Sequence, residues 1–156
     1  MVRDPSHVKK LGIYMFKIAK EFQFDACHML DGHNKKCHNL HGHTYRLLVE
    51  IKGDLIENGS SADMVMDYAD LKAIVKQHIV DPLDHAYLYN QNNPNECRIA
   101  SLLKEMNRKI FAFPCRTTAE GMSKFIFDCL SQYLPISMIK LWETPTSYCE
   151  YHRSEK

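Results

Sequence analysis

Five of the nine histidines, His28, His33, His38, His41 and His43, fall within one short stretch together with Cys37. In an extended chain residues i and i+2 point the same way, so His41 and His43 project side by side. His28 ends the preceding extended run, and a hairpin between the two runs adds its imidazole to the pair. Three neutral imidazoles converging on one point suit Zn²⁺ with a fourth position left open, although they suit several other divalent metals as well. A His-x-His pair alone is ordinary decoration of a surface or a core; the third histidine and the hairpin are what point to a metal. Gly42 between the pair permits close approach of another group. His33 and His38 lie in the polar run DGHNKKCHN and read as solvated.

Cys37 admits two roles: a fourth ligand that closes a structural site, or a thiolate working beside an open one. The sequence has no C-x-x-C pair of the kind structural sites use, which favours the free thiol. Asp84-His85 is either a charge relay that orients and charges an imidazole, or a turn after Pro82 with a solvated histidine. Glu143 alternates with Leu141 and Ile139 and so points toward an apolar face. A buried carboxylate there needs a partner, either a ligand with adjacent N–H donors or a salt bridge at the sheet edge. Glu120 stands three residues after Thr117, the spacing of a capping box, which gives it a sufficient structural task. Cys27, next to His28, faces away from the metal and reads as core.

The elements that position these groups follow from periodicity. From Gly12 to His28 the chain is extended, with Phe22, Phe24, Ala26 and His28 on one face. His41 to Lys52 is a second strand, carrying His43, Tyr45, Leu47, Val49 and Ile51 on one face. Asp67 caps a helix whose recurring positions are Leu71, Ile74, Val75 and His78 or Ile79, closed by Pro82. Ile99, Leu102, Leu103, Met106 and Ile110 suggest a short inserted helix. Met122, Phe125, Ile126, Cys129, Leu130 and Tyr133 stripe a further helix that ends at Pro135. Met138 to Thr144 and Ser147 to His152 form a hairpin. The expectation is an α+β fold, a mostly antiparallel four-stranded sheet with two main helices on one face plus an inserted short helix, in a single domain over residues 1–156.

Composition bounds the function. Twenty Lys and Arg against nineteen Asp and Glu leave a net charge of +1, which argues against nucleic-acid binding. The longest apolar runs are four residues, too short for a membrane span, and the first ten residues lack the core of a signal peptide. Six scattered cysteines with no secretory signal read as reduced thiols, consistent with a cytoplasmic protein.

The segments FDACHML, the cysteine and HGH of CHNLHGHTY, MVMDYADLK, PLDHAYL, TTAE and KLWET occur in register from about Gly12 to His152. Together they resemble the superfamily of 6-pyruvoyltetrahydropterin and 6-carboxytetrahydropterin synthases. Only His38, Asn39 and Leu40 separate Cys37 from His41, a spacing similar to the bacterial queuosine-pathway branch rather than the longer animal one. The resemblance implies the tunnelling fold, a homohexamer built as a dimer of trimers, and active sites at subunit interfaces. It implies a lyase that converts 7,8-dihydroneopterin triphosphate to 6-carboxy-5,6,7,8-tetrahydropterin, acetaldehyde and triphosphate in queuosine synthesis.

Residue by residue, the resemblance makes His28, His41 and His43 zinc ligands and Cys37 the catalytic proton acceptor. It makes Asp84 and His85 the relay that tunes the thiol, Glu143 the pterin anchor and a catalytic residue counted with that relay, and Thr118 and Glu120 part of the pterin pocket. Lys35 and Lys36 read as a solvated loop, with a triphosphate contact as the alternative. Two departures stand out: Gln91 to Cys115 is longer than in compact members, and Cys27 replaces a usual alanine. The alternatives are the sister lyase that yields the 6-pyruvoyl product, a non-catalytic zinc-stabilised pterin-binding module, and a zinc hydrolase, for which an H-E-x-x-H helix is missing.

Overall fold

A computed structural model describes residues 15–153; Gly12 to Tyr14, the start of the expected first strand, lie outside them. Strand β1 (Phe16–His28) pairs antiparallel with β2 (His41–Gly53) from Phe16 opposite Gly53 to His28 opposite His41. Strands β5 (Ile136–Thr144) and β6 (Ser147–His152) continue the antiparallel sheet beyond β2. These are the four strands expected. Two short ones, β3 (Ala86–Asn90) and β4 (Ile110–Phe113), extend it on the β1 side by parallel pairing, giving six strands in the order β4-β3-β1-β2-β5-β6.

Alternation along the strands builds the core. Phe24, Tyr45, Leu47, Val49, Ile51, Ile139 and Leu141 share the face covered by the helices, and each is essentially inaccessible. Burial of each such side chain favours this register by about 1.5–3 kcal/mol, and a slip of one residue would turn the whole set outward. The same register therefore determines which way the histidines at the strand ends face. Phe24 stacks on Tyr45 with centroids 5.0 Å apart, locking β1 to β2 just before the histidines begin.

Helix α1 (Tyr68–Val75) starts as expected at Asp67, whose carboxylate accepts from the Ala69 N–H at 2.7 Å. It runs on through a π-helical stretch, Lys76–Val80, into the short α2 (Asp81–Leu83). Pro82, expected to close the helix, sits inside that last turn, and the chain turns extended at Asp84. Helix α4 (Ala119–Leu130) packs Met122, Ile126, Phe127 and Leu130 into the core.

The inserted helix α3 (Pro94–Glu105) is present, but its apolar stripe is not the expected one. Leu102 and Met106 are exposed, while Glu96 and Ala100, one turn apart, are buried. Ile110 is not helical at all. A left-handed Asn107 (φ 59°) breaks the run, and Ile110 to Phe113 then pair with β3. The capping box is also displaced by one residue. Thr118, not Thr117, caps α4, accepting from Gly121 N at 3.2 Å, so Glu120 has no box partner. Cys27 faces away from the histidines as expected, but toward a cavity that it borders with Tyr87 and with Leu103 of the inserted helix, so it is half-buried rather than core.

Candidate metal centre and active site

The three histidines meet at the end of the β1–β2 ladder. Ala26 opposes His43 and His28 opposes His41, so the rings project from adjacent rungs. Ring centroids lie 4.7 Å (His28–His41), 5.2 Å (His28–His43) and 4.8 Å (His41–His43) apart. One nitrogen from each ring falls within 4.8 Å of the others. Gly42 leaves little room for a side chain: a Cβ there would stand 3.3 Å from the Ala26 carbonyl oxygen, which would have to shift by a few tenths of an ångström.

Backbone carbonyls orient two of the rings. His28 Nδ1 lies 2.9 Å from the Thr117 carbonyl oxygen and 3.2 Å from its hydroxyl. His41 Nδ1 lies 2.7 Å from the Asn39 carbonyl oxygen. Donation to a carbonyl assigns the proton to Nδ1 and leaves Nε2 with a free lone pair, the usual support for a metal-binding imidazole. Burial, with His41 and His43 nearby, pushes the pKa of His28 down to about 4 against the Thr117 hydrogen bond. Burial and His41 lower His43 as well. Neutral rings are what a metal requires. His28 Nε2 and His43 Nε2 are buried without a hydrogen-bond partner, an arrangement that costs free energy unless a cation takes up the lone pairs. The donor set thus fits a divalent ion.

Glu143 closes the fourth side. Its Oε1 lies 3.4 Å from His28 Nε2 and 3.8 Å from His43 Nε2. Burial raises its pKa, His41 opposes that, and the Glu120 charge adds to it. Glu143, Glu120 and Thr118 line one cavity of about 250 Å³ with Leu30 and Tyr148, so the three residues the resemblance linked to the ring lie together. Tyr45 stands edge-on beneath the cluster, its centroid 5.5 Å from His43 and 6.1 Å from His28. Sequence reasoning missed Tyr45 and Thr117. The first read only as a core strand residue, and the second was taken for a helix cap.

Cys37 sits half-buried on a 3-10 turn (Lys36–His38) between β1 and β2, its carbonyl accepting from Leu30 N at 2.9 Å. His33, Lys35, Lys36 and His38 around it are exposed, as expected for a solvated loop. Asp84 and His85 do form a pair, Oδ2 to Nδ1 at 2.9 Å. Asp84 Oδ1 also accepts from the Asp25 N–H at 2.9 Å, and that bond holds its carboxyl below the ordinary range. His85 is left-handed (φ 58°) and donates its N–H to Asp25 O at 2.6 Å. Its ring is 75% exposed. It opens onto a cavity of about 610 Å³ lined also by Asp25, Cys27, Thr44 and Arg108. Among the described residues no hydrogen bond, ion pair or ring contact joins Asp84 or His85 to Cys37 or to the three metal-site histidines.

Solved structures with this architecture include an uncharacterised protein from Wolinella succinogenes, 20% identical, covering 91% of this chain and all of its own, at a TM-score of 0.74. Another is the 6-pyruvoyl tetrahydropterin synthase of Caenorhabditis elegans, also 20% identical, covering 91% and 98%, at 0.64. The architecture is thus an α+β tunnelling fold with a histidine cluster at the end of its central hairpin. The family model described as 6-pyruvoyl tetrahydropterin synthase matches residues 17–154, and the chain belongs to that family of pterin lyases. Among its relatives, the 6-carboxy-5,6,7,8-tetrahydropterin synthase of Haemophilus influenzae is 58% identical over 88% of this chain and 99% of its own length. The protein of the same name from Aquifex aeolicus is 31% identical over 87% and 97%. No helix among the described residues is long and apolar enough to cross a membrane.

Proposed function

We propose that this chain is a zinc-dependent lyase that converts 7,8-dihydroneopterin triphosphate and water to 6-carboxy-5,6,7,8-tetrahydropterin, acetaldehyde and triphosphate, a step of queuosine synthesis. The observation that carries the reading is the 58% identity, over nearly its whole length, to the Haemophilus influenzae protein of that name. The converging imidazoles with orphaned Nε2 atoms support a metal-assisted reaction.

His28, His41 and His43 would hold the ion, which would supply Lewis acidity toward the substrate side chain and so make its C–H protons easier to remove. Glu143 accepts from the ring amide and amino groups, fixing which carbon faces the histidines. Thr118 and Glu120 line the same cavity and complete the pterin pocket. Cys37 as thiolate takes and returns the proton. Asp84 accepts from His85 Nδ1–H, holding the tautomer whose Nε2 can exchange protons with the reacting centre.

The relay pair and Cys37 are not joined within one chain. That separation supports a site completed between subunits of a dimer of trimers, where His85 of one copy serves the thiol of its neighbour. Reduced cysteines and the small-molecule substrate fit a cytoplasmic enzyme.

The test is mass spectrometry of the products formed by zinc-loaded protein from 7,8-dihydroneopterin triphosphate. 6-Carboxytetrahydropterin with acetaldehyde is the expected outcome. A 6-pyruvoyl product would move the chain to the sister reaction. No turnover with zinc bound would leave a binding module. Cys37→Ala is expected to retain zinc and lose most turnover; loss of zinc in that variant would instead make Cys37 a ligand.

A further inference from the structure

The segment from Gln91 to Arg116 touches both loops on which the proposed chemistry depends. At its start Asn93 and Asn95 each donate a side-chain N–H to Asp31 Oδ2, at 3.1 and 2.8 Å. At its end Arg116 donates to the Asp31 carbonyl at 3.0 Å. Asp31 follows Leu30, whose N–H holds the carbonyl of Cys37. Buried Glu96 fastens the same corner by accepting from Asn90 N at 2.7 Å. Between these two ends, Lys109 crosses to the other loop. Its ammonium donates to the carbonyls of Asp81 and Asp84, at 2.5 and 2.6 Å, where α2 gives way to the left-handed His85. Its own carbonyl accepts from Tyr87 N at 3.1 Å, tying it to the strand that follows.

Five side-chain hydrogen bonds therefore run from this one segment to two loops that no hydrogen bond or ion pair joins among the described residues. The segment is anchored in the fold by β4 and by Phe113 in the core, and these five bonds lie outside that anchorage, reaching from its two ends and from Lys109 to the neighbouring loops. We propose that residues 91–116 form a brace that holds the Cys37 loop and the Asp84–His85 pair in fixed positions, with Asp31 and Lys109 as positioning residues. Neither side chain touches substrate in this scheme. Both act through the residues they hold, and the role rests on the functional reading above.

Lys109 is exposed and Asp31 is partly buried, and neither belongs to the core, so Asp31→Ala and Lys109→Met leave the core intact. Two measurements on the full-length zinc-loaded protein test the brace. In steady-state turnover, each variant is expected to lose tenfold or more in kcat with KM within about twofold, as a misplaced group would. Zinc content and oligomeric state should stay at wild-type values, and Lys109→Arg should restore kcat to within about threefold, since a guanidinium reaches the same carbonyls. In hydrogen exchange followed by mass spectrometry, Lys109→Met should accelerate exchange at the His85 amide tenfold or more, and Asp31→Ala at the Leu30 amide. Wild-type kcat in both variants, or a loss that Lys109→Arg does not restore, overturns the brace. If the wild-type protein turns nothing over, the functional reading fails, and the exchange measurement decides the brace alone: unchanged protection at both amides refutes it.

Discussion

Substituting His28 should remove a defined part of the acid sensitivity of the metal-free protein. The ring is fully buried and neutral, with its pKa pushed down to about 4 from the 6.5 of a free histidine. The folded state therefore binds fewer protons than the unfolded chain between those values, so this group's contribution to stability falls as pH drops through 6.5 and stops changing below about 4. Comparing the proton-binding ratio of the two states gives a loss of about 0.8 kcal/mol at pH 6 and about 2 kcal/mol at pH 5, relative to pH 8. In a domain of this size 2 kcal/mol lowers the Tm by roughly 5–8 °C.

The assay is urea unfolding of chelator-treated protein at fixed concentration, at pH 8, 6 and 5, followed by the fluorescence of Trp142, the only tryptophan. His28→Gln keeps a buried amide and cannot titrate. Every other group is common to both proteins, including His43 and Glu143, so the difference between their slopes reports His28 together with its coupling to His41 and His43. A His28→Gln protein that loses stability between pH 8 and 5 as steeply as wild type would refute the reasoning.

Three further substitutions probe the site's other walls. Glu143→Ala should raise KM and lower kcat together, because the cavity loses the carboxylate that orients the ring; unchanged kinetics would remove it from the site. Gly42→Ala drives a methyl to 3.3 Å from the Ala26 carbonyl and should cost about 1–2 kcal/mol while weakening zinc binding, read by unfolding and metal titration. A variant of wild-type stability and affinity would show that the two strands yield freely there. Thr118→Ala removes the α4 cap and should cost about 1 kcal/mol by the same unfolding assay. No loss would mean that water caps the helix equally well.

The histidine cluster was legible because it needs only the two-residue period of a strand and one hairpin, and both are plain in the alternation of Phe24, Ala26 and His28 against His43 and Tyr45. The antiparallel strands and α1 and α4 followed from the same periodicities. Strands β3 and β4 were not legible. Each is a short apolar run, and such runs carry no period to separate strand from helix, so Ile110 was assigned to a helical stripe. The displaced cap turned on two adjacent threonines with equal chemistry. Only the buried His28 ring, which takes the carbonyl and hydroxyl of Thr117, decides between them. The Asp84–His85 pairing was readable from adjacency, whereas its distance from Cys37 was not, because it depends on how β3 joins β1.

The left-handed backbone at His85 has a consequence for how this chain can change. Holding a side chain at φ 58° costs about 1 kcal/mol that a glycine would not incur. Selection or engineering for thermal tolerance alone would therefore favour glycine at 85, and a screen that scores only soluble yield would enrich variants stripped of the imidazole. Libraries built on this scaffold need position 85 frozen, or an activity screen beside the heat challenge, to keep sturdier descendants from being inert ones.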